Sequence, residues 1–273
     1  MPHTAPLTVL DDVSAIEQSS ITSRRGAFPV PWVDQMHDEV MRAFADARSR
    51  DQGAISRGPE RWYVEVHPEQ LSGFVDLATH PWVTAVCHAV LGPDYRIVEV
   101  GFDIPFEGAV NQPWHRDFRS PPTTYRDRRI TSLAFNLTTV DTTPEMGPFQ
   151  IAPGTHFEPG QDWDHGMFPP PSEWSRFEQA SELRMPRRGD ISARSALALH
   201  RGTANRSAQA RPVVILGVDG DAEHDERHDM TVTRAFWDNI DADLRSHLHA
   251  RVVEELTPLR QRHTIEGLVM GAA

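Results

Sequence analysis

The sequence predicts a mainly β fold with flanking helices. Residues 96–104 alternate apolar and polar side chains, as a half-buried strand does, and residues 189–199 and 212–218 contain short apolar runs of strand length. Segments with helical spacing lie on both sides of this strand-rich block, which spans residues 95–220. Many short strands with helices outside are typical of an antiparallel barrel or sandwich.

The chain is expected to form a single domain, because 273 residues are enough for one large hydrophobic core. We expect a mainly helical N-terminal region over residues 1–94, the β core over residues 95–220 and a helical extension over residues 221–273.

The N-terminal region has its clearest pattern between residues 31 and 49. Apolar residues recur there at helical spacing, and Pro31 suits the first turn of a helix. The other elements expected here are short strands at residues 7–10 and 61–66 and short helices at residues 70–78 and 81–91.

Three later segments complete the prediction. Residues 161–182 carry Pro and Trp and are expected to form an ordered loop with short helical pieces. The acidic segment 219–229 is expected to be a solvated loop rather than a cation site. A helix is expected over residues 233–253, where His247 and His249, two positions apart, do not share a face and should both be exposed to solvent.

Composition excludes several partners. The net charge is −12, which argues against nucleic acid, because phosphate binding needs a basic face. No apolar run reaches the length of a membrane span, and the first residues lack the pattern of a secretory signal. The single cysteine, Cys87, is expected to pack in the core and fits a reducing compartment. We therefore expect a cytoplasmic protein that acts on a small molecule and has no membrane partner.

The absence of lysine excludes several kinds of chemistry. All 27 basic residues are arginine. A pyridoxal-phosphate Schiff base, a lysine nucleophile and a Walker A phosphate loop each need a lysine. The sequence also lacks a Gly-x-Ser-x-Gly elbow and a Cys-x-x-Cys zinc pattern.

One short motif points to a metal site. His115 and Asp117 stand at positions i and i+2, which share a face on an extended strand. With a second imidazole from elsewhere, they form the two-histidine, one-carboxylate set of non-haem Fe(II) oxygenases. Because such a triplet arises easily by chance, its assignment to a metal site depends on the sequence features around it. His200 ends an apolar run, at the end of a predicted strand, and is the candidate third ligand.

Arg211 opens the strand that follows His200, after a turn-rich segment. A strand, a turn and a returning strand would bring Arg211 close to His200. Its planar guanidinium can clamp a carboxylate with two parallel hydrogen bonds, as holding 2-oxoglutarate by its far end requires.

Four stretches together resemble the phytanoyl-CoA dioxygenase-like (PhyH) family of Fe(II)/2-oxoglutarate oxygenases. They are QPWHRD at residues 112–117, GPFQIAPGTH at 147–156, GD at 189–190 and HRGTANRS at 200–207, followed by Arg211. They look like that family's elements Q-x-x-H-x-D, G-x-x-x-x-x-PG[ST]H, GD and H-x-[GS]-x-x-N-x-S-x-x-x-R, in the same order and with the same spacing. The resemblance covers residues 81–220, which is about half of the chain.

The resemblance implies a double-stranded β-helix, a jelly-roll barrel related to the cupins. It implies that His115, Asp117 and His200 hold Fe(II), that Arg211 binds the C5 carboxylate of 2-oxoglutarate, and that O2 is the second co-substrate. By the same resemblance, Gln112 would contact co-substrate or substrate. Halide-transferring relatives have a small residue at the position of Asp117, so we expect hydroxylation, or demethylation, desaturation or cyclisation, rather than halogenation.

The substrate pocket is less well defined by sequence. Candidate lining residues are Trp62, Trp114, Phe118, Arg119 and Phe149. A cluster of arginines at residues 116–129 either balances surface acids or binds an anionic group. His156, in Pro-Gly-Thr-His, is expected to be structural, since the metal triad is complete without it.

Two other functions stay open at this point. A cupin-type metal enzyme without 2-oxoglutarate would not need Arg211, and a non-catalytic barrel of the same lineage would hold no iron. We expect an oxygenase of bacterial secondary metabolism, such as antibiotic biosynthesis, with acyl-CoA as an open alternative substrate. The oligomeric state is not predicted.

Overall fold

The computed structural model describes residues 8–220, 230–261 and 270. Within these residues the α-helices are α1 (Val9–Ser19), α2 (Val30–Arg48), α3 (Phe74–Ala78), α4 (Pro81–Leu91), α5 (Pro122–Tyr125), α6 (Trp174–Ala180), α7 (Arg234–Asn239) and α8 (Ala242–His247). Single 3₁₀ turns span Pro68–Gln70, Thr155–Phe157 and Pro171–Glu173. None of the helices in these described ranges is long and apolar enough to cross a membrane.

The strands are β1 (Ile21–Arg24), β2 (Ile55–Ser56), β3 (Arg61–Glu65), β4 (Arg96–Pro105), β5 (Ser132–Thr138), β6 (Phe149–Ile151), β7 (Glu182–Arg184), β8 (Ile191–Ser195), β9 (His200–Gly202), β10 (Val213–Asp219), β11 (Thr231–Thr233) and β12 (Arg251–Val253).

Seven antiparallel strands form the larger sheet, in the order β1-β8-β5-β10-β4-β3-β2. Successive side chains of a strand point to opposite faces. Phe102 and Phe135 therefore point outward and pack in the core with α2 and α4, whereas their neighbours Asp103 and Asn136 line a cavity on the inner face. Apolar residues on one face and polar residues on the other explain why this sheet carries helices outside and a site inside.

Three antiparallel strands form the smaller sheet, in the order β7-β6-β9. Phe149 of β6 and His200 of β9 line the same cavity from the side opposite the larger sheet. The predicted mainly β fold with flanking helices is confirmed, and the two facing sheets have the arrangement of a jelly roll.

The start of the described chain differs from the prediction. The hydroxyl of Thr8 accepts the N–H of Asp11 at 3.3 Å, and the carboxylate of Asp11 accepts the N–H of Thr8 at 2.8 Å. This reciprocal capping box begins α1 at Val9. The strand expected at residues 7–10 is therefore wrong for the described residues 8–10, and residue 7 lies outside them.

The helix expected over residues 233–253 is also wrong. The chain forms the short helices α7 and α8, and β11 pairs in parallel with β12. His247 is 5% exposed, its Nδ1 donates to the carbonyl of Tyr95 at 2.9 Å, and its ring stacks on that of Tyr95 at 3.8 Å. The prediction that it faces solvent is thus wrong, because this segment folds back onto β4, whereas His249 is exposed as predicted.

Other predictions have mixed outcomes. Cys87 is fully buried within α4, as expected for core packing, and burial raises the pKa of its thiol. The insertion at residues 161–182 contains the short helix α6, as predicted. Of the acidic segment 219–229, residues 221–229 lie outside the described residues, so the predicted solvated loop is not described.

Candidate metal centre

His115 and His200 are cross-strand neighbours. The N–H of His115 donates to the carbonyl of His200 at 3.0 Å, and the N–H of His200 donates to the carbonyl of His115 at 2.8 Å. Directly opposite residues of an antiparallel pair place their side chains on the same face. The two ring centroids are accordingly 4.4 Å apart.

Asp117 continues the same pairing. Its N–H donates to the carbonyl of Ala196 at 3.1 Å, and the i, i+2 spacing returns its side chain to the face of His115. One ligand atom from each of His115, Asp117 and His200 lies within 4.8 Å of the other two. Nε2 of His200 and Oδ1 of Asp117 are 3.3 Å apart. The structure thus brings together the three residues that the sequence predicts as metal ligands.

Hydrogen bonds to the backbone set the tautomer of both imidazoles. Nδ1 of His115 lies 2.9 Å from the carbonyl of Pro113, and Nδ1 of His200 lies 2.9 Å from the carbonyl of Ala198. Because a carbonyl oxygen can only accept, each Nδ1 carries the proton, which leaves the lone pair on Nε2. Such bonds are the usual means of orienting histidines that bind a metal.

Arg194 lies directly behind the carboxylate of Asp117. Its Nη1 donates to Oδ2 at 2.8 Å, and its side chain is 4% exposed. Desolvation raises the pKa of Asp117, but the positive charge of Arg194 and its hydrogen bond to Oδ2 outweigh that effect and hold the pKa well below its usual range. The carboxylate is therefore ionised, with Oδ1 directed towards the two histidines.

Both imidazoles of the centre favour the neutral form. Burial lowers the pKa of His115 far below its usual value, and the neighbouring His200 lowers it further. Burial and the charge of Arg194 lower the pKa of His200, against the opposing effect of Asp117. Two neutral imidazoles and one ionised carboxylate, converging on one point, fit a divalent iron ion better than a proton-sharing network.

The three ligand residues lie on the wall of a cavity of about 520 Å³. Its lining includes most of the other predicted site residues, namely Gln112, Phe118, Arg119, Phe149 and Arg211. Since the cavity is bounded by both sheets, the side of the triad that faces it stays open to small molecules.

Trp62 and Trp114 do not line this cavity, which corrects the expectation for both residues. Trp62 lies between the inward-facing Arg61 and Tyr63 on β3, so it points to the outer side, where the guanidinium of Arg48 stacks 3.6 Å from its ring centroid. Trp114 is fully buried behind His115 and packs against Phe177 at 5.9 Å. In extended chain, the residue next to an inward ligand points away from the site.

Arg211 and Gln112 are held by the backbone around them. Arg211 is 4% exposed, and its Nε donates to the carbonyl of Met146 at 3.3 Å. Burial and the nearby charge of Arg61 lower the pKa of Arg211 to about 10, so the guanidinium remains protonated at neutral pH. The side-chain oxygen of Gln112 accepts the N–H of Gly202 at 2.9 Å, which leaves its NH2 group for a ligand.

The arginine cluster at residues 116–129 is divided by the fold. Arg116 is fully buried, donates to the carbonyl of Glu158 at 3.0 Å and lies 4.4 Å from the ring centroid of Trp163. Of the cluster, Arg119 lines the cavity. His156 has the structural role expected of it, since it is buried with Nδ1 2.6 Å from the hydroxyl of Ser20.

Several cavity residues were not selected from the sequence. They include Arg57, Phe168 and Arg194. An arginine within the otherwise apolar run that leads to His200 was a usable signal for Arg194. Phe168 stacks beside His115, with centroids 6.0 Å apart, but it comes from the insertion at residues 161–182, whose position the sequence did not reveal.

The fold has clear structural relatives. SnoN, described as a non-heme alpha ketoglutarate dependent epimerase from nogalamycin biosynthesis, has a TM-score of 0.61 at 20% identity, covering 78% of this chain and 80% of SnoN. EctD from S. alaskensis has a TM-score of 0.64 at 16% identity, with 84% and 82% covered. HygX from Streptomyces hygroscopicus, solved with nickel and 2-oxoglutarate bound, has a TM-score of 0.60 at 17% identity, with 91% and 96% covered.

Fold and site together define a protein of the jelly-roll class with a two-histidine, one-carboxylate centre on the wall of an internal cavity. The family model of phytanoyl-CoA dioxygenase (PhyH) matches residues 23–213, which is most of the chain and includes all three ligand residues. The chain therefore belongs to the phytanoyl-CoA dioxygenase family, as the sequence motifs predicted.

Proposed function

We propose that this protein is a non-haem Fe(II)- and 2-oxoglutarate-dependent oxygenase that acts on a small molecule. The observation that carries the proposal is the convergence of His115, Asp117 and His200 on one cavity wall. A two-histidine, one-carboxylate set with open positions is the ligand set of non-haem Fe(II) oxygenases. Iron in a solved form of EctD and 2-oxoglutarate in HygX support the same cofactors here.

Three atoms of the chain would hold the iron: Nε2 of His115, Nε2 of His200 and Oδ1 of Asp117. Bound Fe(II), together with O2 and 2-oxoglutarate, supplies the oxidation of a substrate C–H bond, while 2-oxoglutarate is converted to succinate and CO2. The chain fixes the ligand atoms beforehand through the carbonyls of Pro113 and Ala198, so little reorganisation is needed on binding.

Arg211 would bind the far carboxylate of 2-oxoglutarate. Its guanidinium is buried and protonated, and it forms no ion pair within 4.0 Å with any residue that the structure describes. An anion entering the cavity therefore meets a cation that is already desolvated, where a charge-assisted pair is strongest. The NH2 group of Gln112, which forms no hydrogen bond with the residues that the structure describes, can contact the same co-substrate.

Hydroxylation is the outcome that Asp117 favours. A carboxylate at this position occupies the coordination site that a halide would need, so halogen transfer is excluded from the proposal. One observation favours a second outcome: SnoN, which shares the fold, is described as an epimerase. The alternative to oxygen transfer is therefore epimerisation, in which a hydrogen atom is removed from one face of a carbon and returned to the other face, with an exogenous reductant such as ascorbate supplying the two reducing equivalents.

The substrate is proposed to be a small molecule of bacterial secondary metabolism. A cavity of about 520 Å³ must take both 2-oxoglutarate and the reacting part of the substrate, which suits a compact compound. Phe118, Arg119 and Phe149 form its candidate walls. The origin of SnoN in nogalamycin biosynthesis supports this setting, and a cytoplasmic location is proposed from the single buried thiol.

The test is succinate release by anaerobically prepared protein that receives Fe(II), 2-oxoglutarate and ascorbate and is then exposed to air. We expect slow succinate formation without substrate, and we expect Asp117→Ala to abolish it. If the wild-type protein binds iron but forms no succinate, the proposed function is wrong and a cupin-type enzyme without 2-oxoglutarate becomes the favoured interpretation. If the protein binds no iron, a non-catalytic barrel becomes the favoured interpretation.

A further inference from the structure

Six arginines line the cavity, and their partners divide them into two groups. Three of them form ion pairs: Arg61 with Asp103 at 2.9 Å, Arg194 with Asp117 at 2.8 Å and Arg184 with Glu182 at 3.2 Å. The other three form no ion pair within 4.0 Å with any described residue; they are Arg57, Arg119 and Arg211.

Two of the unpaired arginines already have an explanation. Arg211 faces the proposed far carboxylate of 2-oxoglutarate. Arg119 is exposed, so water solvates its charge at little cost. Arg57 differs from both, because it is half-buried and the proposed function gives it no ligand.

Among the described residues, Arg57 contacts an aromatic ring and a sulfur atom rather than a carboxylate. Its guanidinium lies 5.0 Å from the ring centroid of Tyr63, and its Nη1 is 3.3 Å from the thioether sulfur of Met270. Its Nε is buried and has no hydrogen-bond partner among the described residues. Among the described residues, this partly dehydrated cation has gained an aromatic ring and a sulfur but no charged partner, which is costly to keep in a folded protein. Charges that are costly for folding are typical of binding sites.

Arg57 is separate from the arginine proposed to bind 2-oxoglutarate. Its backbone N–H donates to the carbonyl of Arg61 beside the edge strand β2, whereas Arg211 leads into β10, and β3 and β4 lie between those strands. Arg61 on β3 and Asp103 on β4, which form an ion pair, belong to these two intervening strands. The cavity therefore offers two distinct contacts for anions.

We propose that Arg57 binds an anionic group of the substrate, and that the substrate is accordingly an acid with a carboxylate, sulfate or phosphate group. The planar guanidinium suits the paired oxygens of such a group, and the ring of Tyr63 holds it in place. The inference rests on the proposed function, since it names the substrate class for the same cavity.

A first experiment needs no ligand. Arg57→Met keeps most of the side-chain volume and removes the charge, and thermal unfolding of the metal-free protein is measured. We expect the melting temperature to stay the same or rise, because an unpaired, half-buried charge is removed. Arg61→Met is the comparison and should lower it clearly, since it leaves Asp103 without its partner. If the melting temperature of Arg57→Met falls as much as that of Arg61→Met, Arg57 has a structural role and the proposal is overturned.

A second experiment uses inorganic sulfate as the probe. The protein is loaded with Ni(II) and 2-oxoglutarate, and its melting temperature is compared in sodium sulfate and in sodium chloride at equal ionic strength. We expect a sulfate-specific increase in the wild-type protein and in the exposed-arginine control Arg25→Met, and the loss of that increase in Arg57→Met. No increase in the wild-type protein, or the same increase in Arg57→Met, contradicts the proposal.

The two proposals fail in distinguishable ways. If 2-oxoglutarate does not bind to the metal-loaded protein, the proposed function fails, and the unfolding comparison still reports on Arg57. Once a substrate is found, the free acid should be preferred over its primary amide. Arg57→Met should raise the KM of the acid about ten- to hundredfold and leave that of the amide nearly unchanged.

Discussion

Arg194 donates from Nη1 to Oδ2 of Asp117 at 2.8 Å, while the other oxygen of Asp117, Oδ1, lies 3.3 Å from Nε2 of His200. The ion pair thus occupies one carboxylate oxygen and leaves the other for the metal position. Arg194 cannot be a metal ligand itself, because a protonated guanidinium has no lone pair to offer a cation. Its effect on the centre is to fix the orientation of Asp117.

Replacing Arg194 should weaken metal binding. In Arg194→Met, Asp117 can rotate, and its ionised form loses its main stabilising partner. We expect the affinity for Ni(II) to fall about ten- to hundredfold, the usual effect of losing an outer partner of a metal ligand. Isothermal titration calorimetry with Ni(II) measures this affinity. Arg194→Lys keeps the positive charge and should recover part of the affinity, so equal losses in both variants would argue for a packing role instead.

Replacing Arg211 should weaken 2-oxoglutarate binding and leave metal binding nearly intact. Arg211→Gln removes the charged hydrogen bonds to the far carboxylate, which are worth about 1.5–3 kcal/mol. The dissociation constant of 2-oxoglutarate should therefore rise about ten- to hundredfold in the Ni(II)-loaded protein. An unchanged constant, with normal folding by circular dichroism, would remove this role from Arg211.

The metal-free protein should lose stability as the pH falls below neutral. Burial, with a smaller effect of the charge of Arg128, lowers the pKa of His156 to about 4, so the unfolded chain binds a proton at higher pH than the folded chain does. Unfolding is therefore favoured as the pH falls from about 6.5 towards 4, and His156 alone contributes about 2 kcal/mol of loss between pH 7 and 5.

The measurement for this pH dependence is urea unfolding at several pH values, for the wild-type protein and for His156→Gln. Glutamine can still accept a hydrogen bond from Ser20, but it does not titrate. Its unfolding free energy should fall less steeply with decreasing pH. Parallel curves for the two proteins would show that His156 is not responsible.

Trp114→Ala should destabilise the fold rather than alter a substrate contact. Trp114 is fully buried against Phe177, and the guanidinium of Arg201 lies 4.8 Å from its ring centroid. Removal of a buried tryptophan costs about 3–5 kcal/mol. Chemical denaturation measures the loss, and Phe149→Ala, which opens the cavity wall, is the comparison and should cost less. A Trp114→Ala protein of normal stability would place Trp114 outside the core.

Much of the metal centre could be predicted because its determinants are local. The i, i+2 spacing of His115 and Asp117 and the strand leading to His200 follow from chain geometry. The outward position of Trp114 follows from the same alternation, and so it was predictable from the inward position of His115. The capping box of Thr8 and Asp11, which begins α1, was also readable in the sequence.

The remaining features depend on contacts between distant parts of the chain. His247 is buried because it meets Tyr95, 152 residues away, and no local pattern indicates that contact. Arg57 and Arg194 enter the site only because β2 and β8 join the same sheet. Hydrophobic periodicity specifies which face of a strand is buried, but it does not specify which distant strand becomes its partner.

The central claim is that His115, Asp117 and His200 form an iron centre that takes 2-oxoglutarate as a chelating ligand. Its most direct test is the visible absorption spectrum of the anaerobic protein as Fe(II) and then 2-oxoglutarate are added. We predict a visible band that needs both additions, that is lost in His200→Ala, and that requires more 2-oxoglutarate in Arg211→Gln. No band in the wild-type protein, or an equal band in His200→Ala, would contradict the claim.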